Sequence, residues 1–356
     1  MKKLLFALTL LVSPAYADYQ IYTHGGAGGA TGQWNINIAK MLSTVTTNPV
    51  DVLHVKGSGG RKAVDEYLEN VNAPTILSTS SEYATEYMVN PKWAKHDFLN
   101  YCPLLINNHS SVVYTHNDVD PMTFTTGSIA IHGKATPDVM GLVMLALGPG
   151  KTTQEYLDYI GPNGINAISG MKGPDRRLGI LNGELDFSRA PGSRVLKEDT
   201  LMGNIEGPRG GFKPLFNWGV QVGSGIVSDP NEVKRGPLFE HLFLDRWGVA
   251  PDGDFYKAMR TAANASHLMD ALIVMCESPY KNEMLTKVEL ALGNQENLNT
   301  LKENMGDYEW FTGDLAMAVW NGVNGALNEL ATTRIIAEVY KAVSYTHLTL
   351  PTTLTV

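Results

Sequence analysis

Through the first third of the chain, short apolar runs alternate with amphipathic stretches. Tyr19 to Thr23 reads as a strand. Gly32 to Ser43 places Trp34, Ile38, Met41 and Leu42 on one side of a helix. Val50 to Val55 predicts the next strand, Lys56 to Gly60 a turn, and Arg61 to Asn70 a helix. Thr75 to Leu77 predicts a third strand. Ser78 to Ser81 then opens another helix, with Thr79 and Glu82 at capping-box spacing. Three strand–turn–helix units in succession predict a parallel α/β sheet. In such sheets ligands bind at the carboxyl ends of the strands, where these turns lie.

Leu104 to Ile106 and Ser111 to Tyr114 predict two further strands, followed by a turn-rich crossing at Asn117 to Pro121. A second unit begins at Gly127, with a strand over Ser128 to Ile131. Thr136 then suits an N-cap, Pro137 the first helical position and Asp138 the first turn of a helix reaching about Leu147. Ile165 to Ser169 predicts a strand, Pro174 to Leu181 a helix stopped at Asn182-Gly183, Glu184 to Phe187 a strand, and Leu215 to Val220 another. Arg194 to Gly211 reads as a polar surface loop. From Val233 onward the spacing is helical: 237–244, 253–265, 282–292, 297–305 and 310–340, the last broken near Gly322 to Gly325.

The N-terminus changes the setting. Met1-Lys2-Lys3, an apolar stretch from Leu4 to Val12 and Ala15-Tyr16-Ala17 form a signal peptide pattern, with cleavage expected after Ala17. The exported chain is expected in the periplasm. The 28 basic and 36 acidic residues become 26 against 36 once Lys2 and Lys3 are removed, a net charge of −10. That balance argues against nucleic acid and against an anionic membrane surface, but not against a small anion held by backbone dipoles. The two cysteines, Cys102 and Cys276, are compatible with a disulfide in an oxidising compartment or with two buried thiols. Val343 to Thr353 follows a good helix abruptly, lacks charge and reads as a non-native tail.

Gly25, Gly26, Gly28 and Gly29 lie between the first strand and the first helix. Glycines there let backbone N–H groups approach a ligand, and the helix start adds partial positive charge. A dinucleotide fingerprint would need an acidic residue at the end of the second strand, whereas Asp51 stands at its start. A secreted hydrolase would need a G-x-S-x-G elbow, and Gly57-Ser58-Gly59 lacks that spacing.

With these turns in order, the chain resembles the Bug-family solute-binding proteins of tripartite tricarboxylate transporters. The resemblance runs from Tyr19 to about Val195. It rests on His24 to Leu42, Val52 to Gly60, Thr75 to Ser81, Gly127 to Met140 and Gly170 to Asp186, with Leu181 to Asp186 the nearest match. It implies an α/β, type II periplasmic binding protein: two α/β lobes with a ligand cleft and a helical C-terminal part. The expected division is a signal peptide over 1–17, lobe 1 over 18–120, lobe 2 over 121–221, a return to lobe 1 with the helical part over 222–342, and the tail over 343–356. It also implies a small organic anion as ligand (a di- or tricarboxylate or related acid), membrane permease subunits as partners, no cofactor, no metal, no catalysis and a monomer. Where the family commonly carries an aspartate and, four residues on, an arginine, this chain has Gly32 and Ile36.

The candidate ligand contacts are the backbone of Gly28, Gly29 and Ala30 with the Thr31 hydroxyl; Ser78, Ser80 and Ser81; Ala135 and Thr136 from the second lobe; and Asp186 and Arg189 beyond the second-lobe strand. A receptor for another anion, such as phosphate or a sulfonate, would use the same helix starts.

Overall fold

In a computed structural model of the chain, the described residues are 19–57, 60–79, 100–108, 111–131, 137–169, 171, 178–191, 209–222, 225–227, 236–267, 270–305, 309–327 and 330–346. The signal peptide pattern and the end of the tail lie outside them. The strands, in chain order, are β1 (Gln20–Thr23), β2 (Asp51–His54), β3 (Thr75–Thr79), β4 (Tyr101–Asn108), β5 (Ser111–His116), β6 (Gly127–Ile131), β7 (Ile165–Ser169), β8 (Phe187–Pro191), β9 (Phe212–Asn217), β10 (Val220–Val222), β11 (Gly225–Val227), β12 (Asp270–Met275) and β13 (Glu309–Phe311). The helices are α1 (Ala30–Leu42), α2 (Arg61–Glu69), α3 (Pro137–Leu147), α4 (Thr153–Asp158), α5 (Phe239–Trp247), α6 (Gly253–His267), α7 (Lys281–Leu292), α8 (Gln295–Met305), α9 (Gly313–Leu327) and α10 (Leu330–Thr346).

One sheet has the order β13-β4-β12-β3-β1-β2 and the other β7-β6-β8-β5-β9, with β10 and β11 forming a separate hairpin. In the first sheet β2, β1 and β3 run parallel, and β12 runs antiparallel between β3 and β4. Side chains alternate across a strand, and the cores follow that alternation. Ile21, Ile76, Leu105, Leu272 and Val274 pack under Trp34, Ile38 and Leu42 of α1. Their neighbours Tyr22, Leu77, Ile106, Ala271 and Ile273 pack on the other face, against Val64 and Tyr67 of α2 and Trp320 of α9. In the second sheet, Val113, Ile129, Ala167 and Phe216 pack against α3. That helix is apolar on every side and buried along its length.

The helical C-terminal third divides between the sheets. Phe239 and Phe243 of α5, Met259 of α6 and Ile336 of α10 enter the second core, as does Val343, which the sequence reading placed in the tail. The segment beginning at Asp270 belongs to the first sheet.

Several elements differ from expectation. The helical reading after Val233 is corrected by β12 and β13. Ala271 to Met275 is a short continuous apolar run, which suits a central strand flanked on both sides. Because β12 pairs with it, β3 continues through Ser78 and Thr79, opposite Leu272 and Ala271. Thr79 is therefore a strand residue and not a helix cap. The strand expected at Glu184 to Phe187 begins at Phe187. The helix expected over 310–340 is instead β13, then α9 running through Gly322 and Gly325, then α10.

Cys102 of β4 and Cys276, just beyond β12, form a disulfide with Cα atoms 4.9 Å apart, which decides between the two readings of the cysteines. The bridge spans 174 residues and ties the strands that carry the chain into and out of the second sheet. Removing it is expected to cost about 2–4 kcal/mol. A fully reduced sample should melt roughly 5–10 °C lower by scanning calorimetry, and an unchanged Tm would contradict this.

Candidate functional site

The glycine turn is held from several sides. The Thr23 hydroxyl oxygen, at the end of β1, accepts from Gly25 N at 3.1 Å and from Asn35 Nδ2 at 3.1 Å. Gly29 N donates to Gly26 O at 2.8 Å. His54 Nδ1, from the end of β2, lies 2.5 Å from the Gly25 carbonyl oxygen. Gly29 is the N-cap of α1, in extended conformation, and no side chain caps the helix. The first N–H groups of a helix have no intrahelical acceptor, so Ala30, Thr31 and Gly32 present backbone donors at a positive dipole end. Helix α1 thus begins two residues earlier than its spacing predicted. Lys56 lies across the turn, its Cε 3.2 Å from where a Gly26 Cβ would stand.

Gly32 now has a physical explanation. A Cβ there would lie 1.9 Å from Gly26 O, and a Cβ on Gly25 would lie 2.7 Å from Gly32 N. The turn folds down onto the first helical turn, and no side chain fits between them. At Gly28, by contrast, a Cβ meets nothing within 4 Å.

Beneath this helix start, polar groups line the carboxyl edge of the first sheet. Ser78 of β3 and Asn107 of β4 are fully buried, and Asp270 opens β12 with Asn107 as its direct strand partner. Ser78 Oγ, both amide atoms of Asn107 and Asp270 Oδ1 are buried without a hydrogen-bond partner among the described residues. Burial pushes the Asp270 carboxyl up to about 7, and a hydrogen bond from Thr31 only partly offsets this. Asp270 and Asn107 were missed by sequence reasoning. The one local signal was the apolar run after Asp270, which marks a strand start at a sheet edge.

The second sheet meets this edge through the chain itself, since β4 ends at Asn108 and β5 starts at Ser111. Arg189 of β8 donates from Nη2 to Ser111 Oγ at 2.9 Å, and its Nε lies 3.7 Å from Asp138 Oδ2. Asp138, in the first turn of α3, is only 3% exposed and accepts from Trp218 Nε1 at 2.9 Å. The expected first-turn aspartate thus anchors the arginine.

Asp186 stands elsewhere. Its Oδ2 accepts from Ser128 N at 2.8 Å, at the amino end of β6, and its Oδ1 accepts from Arg209 at 2.7 Å. Burial alone would raise the Asp186 carboxyl. Hydrogen bonds from Arg209 and Ser128 outweigh it and hold the group below the usual range. The structure therefore gathers Gly28, Gly29, Ala30, Thr31 and Ser78 around one sheet edge. It places Arg189 in the middle of β8, bound to Ser111 at the start of β5, and Asp186 just before β8, beside the amino end of β6. Ser80, Ser81, Ala135 and Thr136 lie outside the described residues.

Two α/β lobes, joined where strand ends meet, with an uncapped helix start at the junction, define the two-lobed type II periplasmic binding fold. Solved structures share it. An adipate-bound protein from Rhodopseudomonas palustris matches with a TM-score of 0.58 and 11% identity, covering 91% of this chain and 98% of its own. MatC from the same organism, with bound malate, matches at 0.55 and 11%, covering 91% and 99%. A TctC solute-binding protein from Polaromonas matches at 0.52 and 12%, covering 89% and 100%. At such identities the likeness is one of fold. No family model matches the sequence, and no curated protein matches it.

Proposed function

We propose that this protein is a periplasmic solute-binding receptor of the Bug type, which captures a small carboxylate for the permease of a tripartite tricarboxylate transporter and catalyses no reaction. The observation that carries this reading is the uncapped start of α1 at Gly29, preceded by a turn packed so closely on the helix that neither Gly25 nor Gly32 has room for a Cβ. A helix start contributes about 0.3–1 kcal/mol toward an anion, up to about 2 when partly buried. Charge-assisted hydrogen bonds add about 1.5–3 kcal/mol each. Two or three such bonds, less the entropic cost of association, reach roughly −8 kcal/mol, which is micromolar affinity. Lys56 over the turn adds positive charge beside it, while Arg189 is already paired with Asp138. The malate and adipate held by proteins of the same fold support a carboxylate over other anions.

Mass spectrometry of small molecules released from natively purified protein tests this. A di- or tricarboxylic or related organic acid is the expected companion. Phosphate or a sulfonate in its place would overturn the carboxylate assignment.

A further inference from the structure

The buried edge beneath α1 contains a feature that simple anion binding leaves unused. A receptor that offers only helix dipoles and cations to a carboxylate has no need of an acid in the same place, yet Asp270 sits there. It shares the α1-facing side of the sheet with Leu272 and Val274, which pack under Trp34 and Leu42. The Thr31 side chain favours its ionised form against the effect of burial, while Oδ1 is buried and unpartnered among the described residues. Its strand neighbour Asn107 is 0% exposed with both ends of its amide unpartnered among the described residues, and Ser78 Oγ is in the same condition. Buried polar atoms are almost always paired in a working protein, so this group of atoms is set for something that enters it.

Among the described residues no cation pairs with Asp270, and burial and Thr31 are the influences on its carboxyl. The first turn of α1 carries no acidic side chain, and the sole basic residue of that helix is Lys40, in its last turn. The adjacent strands offer Ser78, Asn107 and, opposite Asn107, Trp310. Glu309 stands one register position away, opposite Asn108. On the helices behind, Glu283 is bound to Tyr19 and Lys287 to the Val45 carbonyl, while Asp314 of α9 is exposed. The titratable groups of the turn are His24, His54, which is engaged by Gly25 O, and Lys56. An ionised Asp270 facing an ionised ligand would repel it, and a protonated Asp270 would donate to it. Two carboxyls in close contact share one proton more readily than both ionise.

We infer that the site takes its organic acid together with one proton, held between Asp270 and a ligand carboxylate. This rests on the carboxylate reading above. Burial already holds the Asp270 carboxyl up to about 7 before any ligand charge arrives, so the proton is available near neutral pH. Asp270 then acts as a specificity residue, because a ligand that offers no acceptor leaves its proton unsatisfied.

Calorimetric titration with adipate and with malate, between about pH 6 and about pH 8.5, tests it, since the free acids are already ionised there. In buffers of different ionisation enthalpy, about one proton should be taken up per ligand on the alkaline side. Affinity should fall about tenfold per pH unit above the Asp270 pKa and flatten below it. Asp270→Asn should lose that slope. Should this variant not fold, the proton uptake of the wild-type protein decides alone. Acid binding that is independent of pH, or that keeps its slope in Asp270→Asn, would overturn the inference alone. Tighter binding of an amino acid with rising pH would replace the shared proton by a ligand ammonium. Binding of phosphate and of no acid at any pH would overturn the carboxylate reading and this inference with it.

Discussion

Gly32→Ala is expected to abolish ligand binding and to lower stability by about 3 kcal/mol or more, the upper range for overpacking. The added methyl would sit 1.9 Å from Gly26 O and 2.6 Å from the Gly26 carbonyl carbon. Both are backbone atoms and do not swing aside as a side-chain tip would. Gly26 O is also the acceptor for Gly29 N, at 2.8 Å. Moving it breaks the turn that delivers the chain to the N-cap of α1. The free N–H groups of the first helical turn would then no longer point into the lobe junction, and the dipole contribution would go with them. Gly32→Asp should do the same despite its negative charge suiting a helix start. Gly28→Ala is the control: its methyl meets nothing within 4 Å, and its Tm should match the wild type. Differential scanning calorimetry and a binding titration check both variants. Wild-type melting and affinity in Gly32→Ala would refute the geometry of the turn.

Trp218→Ala is expected to cost about 3–5 kcal/mol, the usual range for deleting a large buried aromatic. Trp218 is fully buried, stacks on Phe239 with centroids 5.3 Å apart, and meets Phe216 edge-on at 4.9 Å. Its indole N–H also serves Asp138, and its carbonyl accepts from Arg260 Nη1 and Nη2 at 3.0 and 3.1 Å. The substitution therefore opens a cavity and leaves a buried carboxylate without one of its donors. Trp218→Phe separates the two effects. It keeps most of the packing but removes the N–H, at an expected cost of about 1–3 kcal/mol. Because Asp138 also steadies Arg189 on the facing lobe, both variants should weaken binding as well as lower the denaturation midpoint. A loss below about 1 kcal/mol for Trp218→Ala would contradict the packing described.

Local pattern carried the first sheet as far as β3 and the second as far as β7. In those stretches each strand is followed by its own turn and helix, and turn chemistry is written in adjacent residues. Pro137 and Asp138 show how far such signals reach: they marked the start of α3 correctly, but gave no hint that Asp138 would bind Trp218, 80 residues away. The misses have one cause. Strand β12 is a short apolar run among helices, and periodicity alone does not separate a buried strand of that length from a buried helix. Its partners, β3 and β4, lie well over a hundred residues upstream. Missing it concealed the true length of β3, the pairing of Cys102 with Cys276 and the acid at the edge of the site. Asp186 misled in the other sense. It follows a helix stop, as a cleft residue would, yet it serves the amino end of β6 through Ser128.

The site at the start of α1 is tested most directly by titrating Thr31→Ala and the wild-type protein with the acid that co-purifies with it. Thr31 stands in the first helical turn and influences the Asp270 carboxyl, while the loss of its hydroxyl leaves the glycine turn and the cores intact. Affinity is expected to fall by about tenfold or more, in line with the loss of one charge-assisted hydrogen bond, at an unchanged fold by circular dichroism. Equal affinities for the two proteins would place the ligand elsewhere and contradict the account.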